Sequence, residues 1–346
     1  PAIEPALAFY RDVLGLEPAC RDHHPSSGPR ETQGRELAEP RRRPGDDHDR
    51  TSEFHSVLAL EHPRAPRTMV SMDVIGTHAA RLPALDDRWM PREYAREELV
   101  EGLLAGAVAG LEVSHPLDNV LRNIRLLHEG DPDKQFGMTG LQSLDPDGIL
   151  DRVGRASGFE PERAATNGPV PVDPELVLDA CAAVGERLAN AVRRGERVLL
   201  ATGHPVGLAH LYIEVGRLLR AGGVAIIEPA DGTTWQDEDR HHPWQIRYLD
   251  GVAMLTDRAS ARHTHSGDAM DRMLDDETPD LVFADHGFAG AAIERGVETV
   301  SIADVNDPAL LVAQAQGRTG TVIVMDDNVA PQAYWPCFQA IAARLP

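Results

Sequence analysis

From Arg197 to Asn328 the chain repeats one pattern: a short apolar run, a polar cluster, then a stretch with helical spacing. The runs RVLLAT, DLVFAD, ETVSIAD and TVIVMDD are almost wholly apolar. That suits strands covered on both faces, since a strand with one wet face alternates instead. The polar clusters are ATGHPVGL at 201–208, ADHGFAG at 284–290, ADVNDPA at 303–309 and MDDN at 325–328, and HTHSG at 263–267 follows the run Val252–Leu255. Strand, polar loop and helix in repetition predict an α/β domain on a doubly wound, mostly parallel sheet, a Rossmann-like three-layer sandwich. The expected strands are RVLLATG, GVAIIEP, GVAMLTD, DLVFADH, ETVSIAD and TVIVMDD, with helices at 208–219, 268–274, 288–295 and 308–316. Between Glu228 and Tyr248 the connection is too long and polar for an ordinary turn, so 230–248 is expected to be a lid over the site.

Ahead of the sheet the spacing turns helical. REYAREELVEGLLAGAVAG (92–110) and DNVLRNIRLLHEG (118–130) carry apolar residues at helical intervals, the second with Asp118 as cap and Gly130 as stop. Asp173-Pro174 opens a long amphipathic helix that runs to Arg194 and into the first strand. Three regions follow from this pattern: 1–90 as a low-order extension, 91–172 as a helical cap or side wall, and 173–346 as the α/β sandwich that carries the site. The first ninety residues are rich in proline, glycine and charge and are expected to be dispensable for catalysis. Within them PALAFYRDVLGLEP (5–18) resembles the first helix and turn of glyoxalase/bleomycin-resistance domains.

A formal charge of −21 excludes nucleic acid or an anionic membrane as the main partner, because both need a basic surface. With no apolar run of about 18 residues, a soluble cytoplasmic protein is expected, and a homodimer is compatible with such a sheet. Cys20, Cys181 and Cys337 are too far apart to suggest a disulfide framework or a thiolate zinc site. Lys134 is the single lysine and sits outside any phosphate-loop, Schiff-base or kinase context, which removes those classes.

Chemistry concentrates where the strands end. His263, His265, Asp285, His286, Asp304, Asn306, Asp307, Asp326, Asp327 and Asn328 follow separate predicted strands and can converge. Carboxylate, Asn and His together suit a divalent cation, Mg²⁺ or Mn²⁺. The expected ligands are Asp285, Asp304, Asn306, Asp307, Asp326 and Asp327, with Asp285, Asp304 and Asp307 sharing one ion. His265, His286 and Asp285 are the catalytic candidates. Gly203, His204 and Gly207 at one helix start, with Ser266, Gly267 and Gly287, are candidates for holding phosphate through backbone N–H groups. The alternative for each aspartate is a turn or helix-cap residue.

In this order ATGHPVGL, HTHSGDAM, DLVFADHGFAGAA, DVNDPAL and DDNVAP resemble a group of actinobacterial proteins labelled phosphatase, over roughly 92–346. The resemblance implies removal of phosphate from a small molecule and brings no assigned catalytic residues. The sequence reading is therefore a metal-dependent phosphatase of small-molecule phosphomonoesters, with a cation-activated water as attacking group. An aspartyl-phosphate route is disfavoured, since neither Asp304-Val305-Asn306 nor Asp326-Asp327-Asn328 supplies the second Asp it needs. The alternative is a nucleotide- or sugar-phosphate-binding Rossmann-like protein without phosphatase activity. A glyoxalase-like metalloenzyme would rest on 5–18 alone.

Overall fold

A computed structural model describes residues 86–346, apart from 112, 114, 162–167 and 238–241, all within one compact unit, Leu82–Pro346. Residues 1–85, and with them the glyoxalase-like stretch 5–18, lie outside the described residues.

Helices α1 (Arg96–Ala105), α2 (Leu117–Glu129), α3 (Pro132–Gln135) and α4 (Pro146–Ser157) precede the sheet. The long helix α5 (Pro174–Arg194) shows why the sequence starts and stops where it does. Asp173 accepts from the Glu175 amide, proline occupies the first turn, and Gly195 takes the left-handed conformation that closes the last turn. Its buried stripe, Val177, Leu178, Cys181, Val184 and Leu188, recurs at helical spacing.

The sheet comprises β1 (Arg197–Ala201), β2 (Ala225–Ile226), β3 (Thr234–Trp235), β4 (Trp244–Leu249), β5 (Val252–Asp257), β6 (Ser260–Ala261), β7 (Leu281–Asp285), β8 (Thr299–Ala303) and β9 (Val322–Val324). Its order is β3-β4-β5-β1-β7-β8-β9, with β2 on β1 and β6 on β5. β5, β1, β7, β8 and β9 are mutually parallel, whereas β4 is antiparallel to β3 and β5. The chain is thus an α/β protein with a mixed, mostly parallel sheet. β7 and β8 are buried along their whole length, as mostly apolar runs covered on both faces are.

The sheet departs from expectation at one edge. The stretch 230–248, expected as a lid, contains β3 and most of β4, and GVAIIEP contributes only Ala225–Ile226. β4 shows one buried and five more exposed positions, so its signal was that of a half-wet edge strand. The segment leans on the second half of helix α7 (Asp268–Asp276): Tyr248 Oη donates to the Pro229 carbonyl and approaches Met273 Sδ, and the Ala230 amide donates to Asp276.

Helices α6 (Pro205–Ala221), α8 (His286–Glu294), α9 (Ala309–Ala315) and α10 (Trp335–Ala342) complete the described elements. α10 packs on α5 and α6, whereas α8 packs on α7 and α9. Along the sheet the chain moves one way from β1 to β5 and the other way from β5 to β7, β8 and β9. At the centre, Phe283 of β7 packs on Tyr212 of α6 with ring centroids 4.6 Å apart. Such a pair adds about 0.5–1.5 kcal/mol beyond its burial and ties the strand to the helix beside the site.

Candidate active site

The chain leaves β1 toward β5 and β7 toward β8, on opposite sides, although the two strands are neighbours. In open α/β sheets that reversal point is the ligand position. Here it is formed by Thr202, Gly203 and His204 after β1 and by Asp285 and His286 at the end of β7. The Gly203 amide donates to Asp285 Oδ1 at 2.8 Å, and the Thr264 amide donates to the Gly203 carbonyl at 2.9 Å, which draws in the HTHSG loop. Close approach explains the glycines. A Cβ on Gly203 would stand 2.5 Å from the Thr264 carbonyl oxygen, and one on Gly287 2.2 Å from that of His265. Gly207 similarly abuts the Asp327 carbonyl.

Four histidine rings gather in this crevice. His286 stands 5.0 Å from His263, 5.1 Å from His265 and 5.8 Å from His204, centroid to centroid. One ligand atom from each of His263, His265 and His286 lies within 4.8 Å of the others, an arrangement that fits a metal ion. His286 is buried, His265 half-buried and His263 exposed at the rim. His286 takes φ +46° at a non-glycine position, a conformation costing of order 1–3 kcal/mol that persists where surroundings over-determine it. Those surroundings are visible: His286 Nδ1 lies 2.7 Å from Asp285 Oδ1, and Nε2 lies 3.7 Å from Asp307 Oδ2 and 3.6 Å from Asp327 Oδ2.

Five buried aspartates, Asp285, Asp304, Asp307, Asp326 and Asp327, line this sheet edge. Among the described residues, the cationic partners of Asp285, Asp304, Asp307 and Asp327 are all histidines. Neighbouring charged carboxylates repel, by about 4 kcal/mol for a pair about 4 Å apart at an effective dielectric of about 20, so such a cluster favours either a nearby positive charge or protonation. The titration of the bare chain reflects it. Burial works to lower His286, but the Asp285 hydrogen bond and the charges of Asp327, Asp285 and Asp307 prevail and push it up to about 10. Burial, reinforced by Asp304, Asp307 and Asp285, holds Asp327 well above the carboxylate range despite His286. Asp304 is raised chiefly by burial, and Asp285 is lowered because His286, Thr202 and His204 outweigh its burial. His263 is driven down to about 3 by burial and the charge of His286, and His204 and His265 shift the same way. Asp327 Oδ2 and His204 Nδ1 are buried without a hydrogen-bond partner among the described residues.

The expected site residues sort themselves along this edge. Asp285, His286, Asp307 and Asp327 meet in the centre, and His265 and His204 flank them. Asp304 accepts from the Val305 amide and pairs with His115, Nε2 to Oδ2 3.2 Å. Asp326 caps the turn by accepting from the Asn328 amide, and Asn306 bonds Asn119 through its side chain and Asn123 through its carbonyl. Among the described residues, the group whose ligand atoms lie within 4.8 Å of one another is His263, His265 and His286, and Asp285, Asp304 and Asp307 are not members of that group. Ser266 Oγ is engaged by the Asp268 amide at the start of α7, and Gly267 packs on Ala291. His115 and Asp133 were not among the candidates: no local spacing links His115 to Asp304 or Asp133 to His265, contacts the tertiary fold alone creates. A separate groove of about 470 Å³, lined among others by Arg88, Tyr94, Glu101 and Trp335, carries none of this chemistry.

Comparison with known proteins places the edge in a wider context. A family model described as Phosphatase matches residues 94–345, the stretch that contains every element described above from α1 to α10. A Streptomyces coelicolor protein named Phosphatase SCO2771 is 34% identical over 253 residues, 71% of this chain and 94% of the relative. With the match running through all five strand-end loops, the chain belongs to the Phosphatase family.

Proposed function

We propose that the chain is a metal-dependent phosphatase that hydrolyses a small-molecule phosphomonoester in the crevice between β1 and β7, the ligand position of a doubly wound, Rossmann-like sheet. The observation that carries this reading is the three-histidine cluster set against buried Asp285, Asp304, Asp307 and Asp327, whose cationic partners among the described residues are all histidines. A divalent cation satisfies that surplus and would bridge an acidic site to an anionic substrate. His263, His265 and His286 would hold it, with Asp307 and Asp327 beside His286; a mixed His/Asp set favours Mn²⁺ over Mg²⁺. When bound, such an ion supplies Lewis-acid polarisation of phosphate oxygens and a lowered pKa for an attacking water.

The chain's own residues do the rest. Asp285 orients His286 and pins the loop after β1, so the two walls of the crevice keep a fixed separation. His265 and His286 each have Nδ1 on a carboxylate, which suits holding an ion better than giving up a proton. His115 stands toward β8 and β9 with 26% of its side chain exposed. Burial lowers it, but Asp304, Asp326 and Asp307 hold it above its ordinary value, a shift in the direction that a general acid for the leaving oxygen needs.

The function is tested with a phosphate-release screen over aryl and sugar phosphomonoesters, on protein stripped with chelator and then given Mn²⁺ or Mg²⁺. Activity is expected to vanish on stripping and return with metal; a chelator-resistant rate would remove the cation from the mechanism. His115→Gln is expected to slow alkyl phosphates by about 10²-fold while leaving nitrophenyl phosphate within about threefold, because a good leaving group needs no proton. Equal losses on both would assign His115 another task.

A further inference from the structure

Helix α3, which carries Asp133, lies outside every strand-end cluster, yet it and Phe136 just after it reach His265 and His286. His265 Nδ1 faces two oxygens of one residue: Asp133 Oδ1 at 3.0 Å and the Asp133 carbonyl at 3.1 Å. Neither can donate, so Nδ1 must carry the proton and Nε2 is the ring nitrogen left with a lone pair. At His286, too, Nδ1 is held by a carboxylate, that of Asp285. Asp133 is itself anchored. Its other oxygen pairs with Lys134 at 2.9 Å, and that lysine side chain is only 15% exposed. Phe136 packs its ring 5.0 Å from His265 and 5.4 Å from His286.

Helix α3 and the residues after it are fastened independently of any ligand. Their backbone presses on α8 where Gly290 leaves room: a Cβ there would stand 2.0 Å from the Phe136 carbonyl oxygen. Just beyond, Glu294 accepts from the Thr139 amide and hydroxyl, and Arg318 donates to the Thr139 carbonyl at 2.7 Å. A rigid scaffold thus presents Asp133 to His265.

We infer that Asp133, steadied by Lys134, is a positioning residue that fixes His265 as the Nδ1–H tautomer with its Nε2 lone pair turned toward His263 and His286, preparing the cluster for a divalent cation. The preparative role rests on the metal-dependent reading, whereas the tautomer can be read without metal. Outer-shell partners of this kind are worth about 10–100-fold in metal affinity. Because the Asp133 carbonyl remains in any variant, the side chain's share falls at the lower end.

The test uses the full chain, stripped of metal, as wild type, Asp133→Asn and Asp133→Ala. Nitrogen-15 NMR of the imidazoles is expected to show His265 as a single Nδ1–H tautomer in wild type and as a mixture in Asp133→Ala, with Asp133→Asn between. Calorimetric Mn²⁺ titration is expected to show about tenfold weaker binding in Asp133→Ala at an unchanged melting temperature. An Nε2–H tautomer in wild type, or a wild-type tautomer and affinity in Asp133→Ala, would overturn the assignment. If wild type shows the expected tautomer but binds no Mn²⁺, the cation reading fails while the positioning of His265 by Asp133 stands.

Discussion

Replacing His286 by glutamine is expected to abolish Mn²⁺ binding and to cut phosphate release by well over the roughly 100-fold typical of an outer-shell partner. Among the described residues, His286 is the one ring that stands against Asp285, Asp307 and Asp327 at once, and it is the buried member of the cluster. Without it the carboxylates lose their nearest positive charge, and breaking a buried pair in this way costs about 3–5 kcal/mol. The melting temperature of the metal-free variant should fall with it. The pH dependence gives a second reading. With a folded value pushed up to about 10 against an ordinary 6.5, His286 contributes stability that is fully present below pH 6.5 and is lost as pH rises through 10. Metal-free wild type should therefore lose melting temperature across that window, and the glutamine variant should lose less. Thermal melts of both proteins from pH 6 to about 10, with calorimetric Mn²⁺ titration at neutral pH, decide the matter. A glutamine variant that binds Mn²⁺ as wild type does would dismantle the site.

The second large effect separates two aspartates that look alike in sequence. Asp285→Asn should weaken Mn²⁺ binding by about 10–100-fold, because the carboxylate fixes the His286 ring through Nδ1 and ties the loop after β1 through the Gly203 amide. Asp304→Asn should change the affinity by less than about threefold, since Asp304 serves His115 and the Val305 amide and stands outside the histidine set, and outer-shell influence reaches a metal only through its ligands. Its deficit is expected in turnover on poor leaving groups. Parallel titrations and rate measurements on the two variants provide the contrast. Equal affinities in the two variants would mean that Asp285 does not orient the cluster.

The apolar runs determined more of this protein than any motif did. RVLLA, VAMLTD, LVFAD, TVSIA and VIV became β1, β5, β7, β8 and β9, because a strand buried on both faces must be apolar at every position and little else is. The polar clusters behind them marked the sheet edge where Asp285, His286, Asp307 and Asp327 meet. Helix boundaries at Asp173-Pro174 and Gly195 were equally local, since caps satisfy the backbone groups nearest them in sequence. β4 was not legible: an edge strand with one wet face resembles a polar loop until its partner is known. Nor could the sequence rank its own carboxylates. Whether an aspartate orients a histidine, caps a turn or faces a cation depends on distances of a few ångströms set by strand register and loop closure. Only the tertiary structure brought His115 to Asp304 and Asp133 to His265, pairs that no spacing along the chain connects. It also gathered His263, His265 and His286 beside the carboxylates, a grouping that depends on β1 and β7 lying side by side.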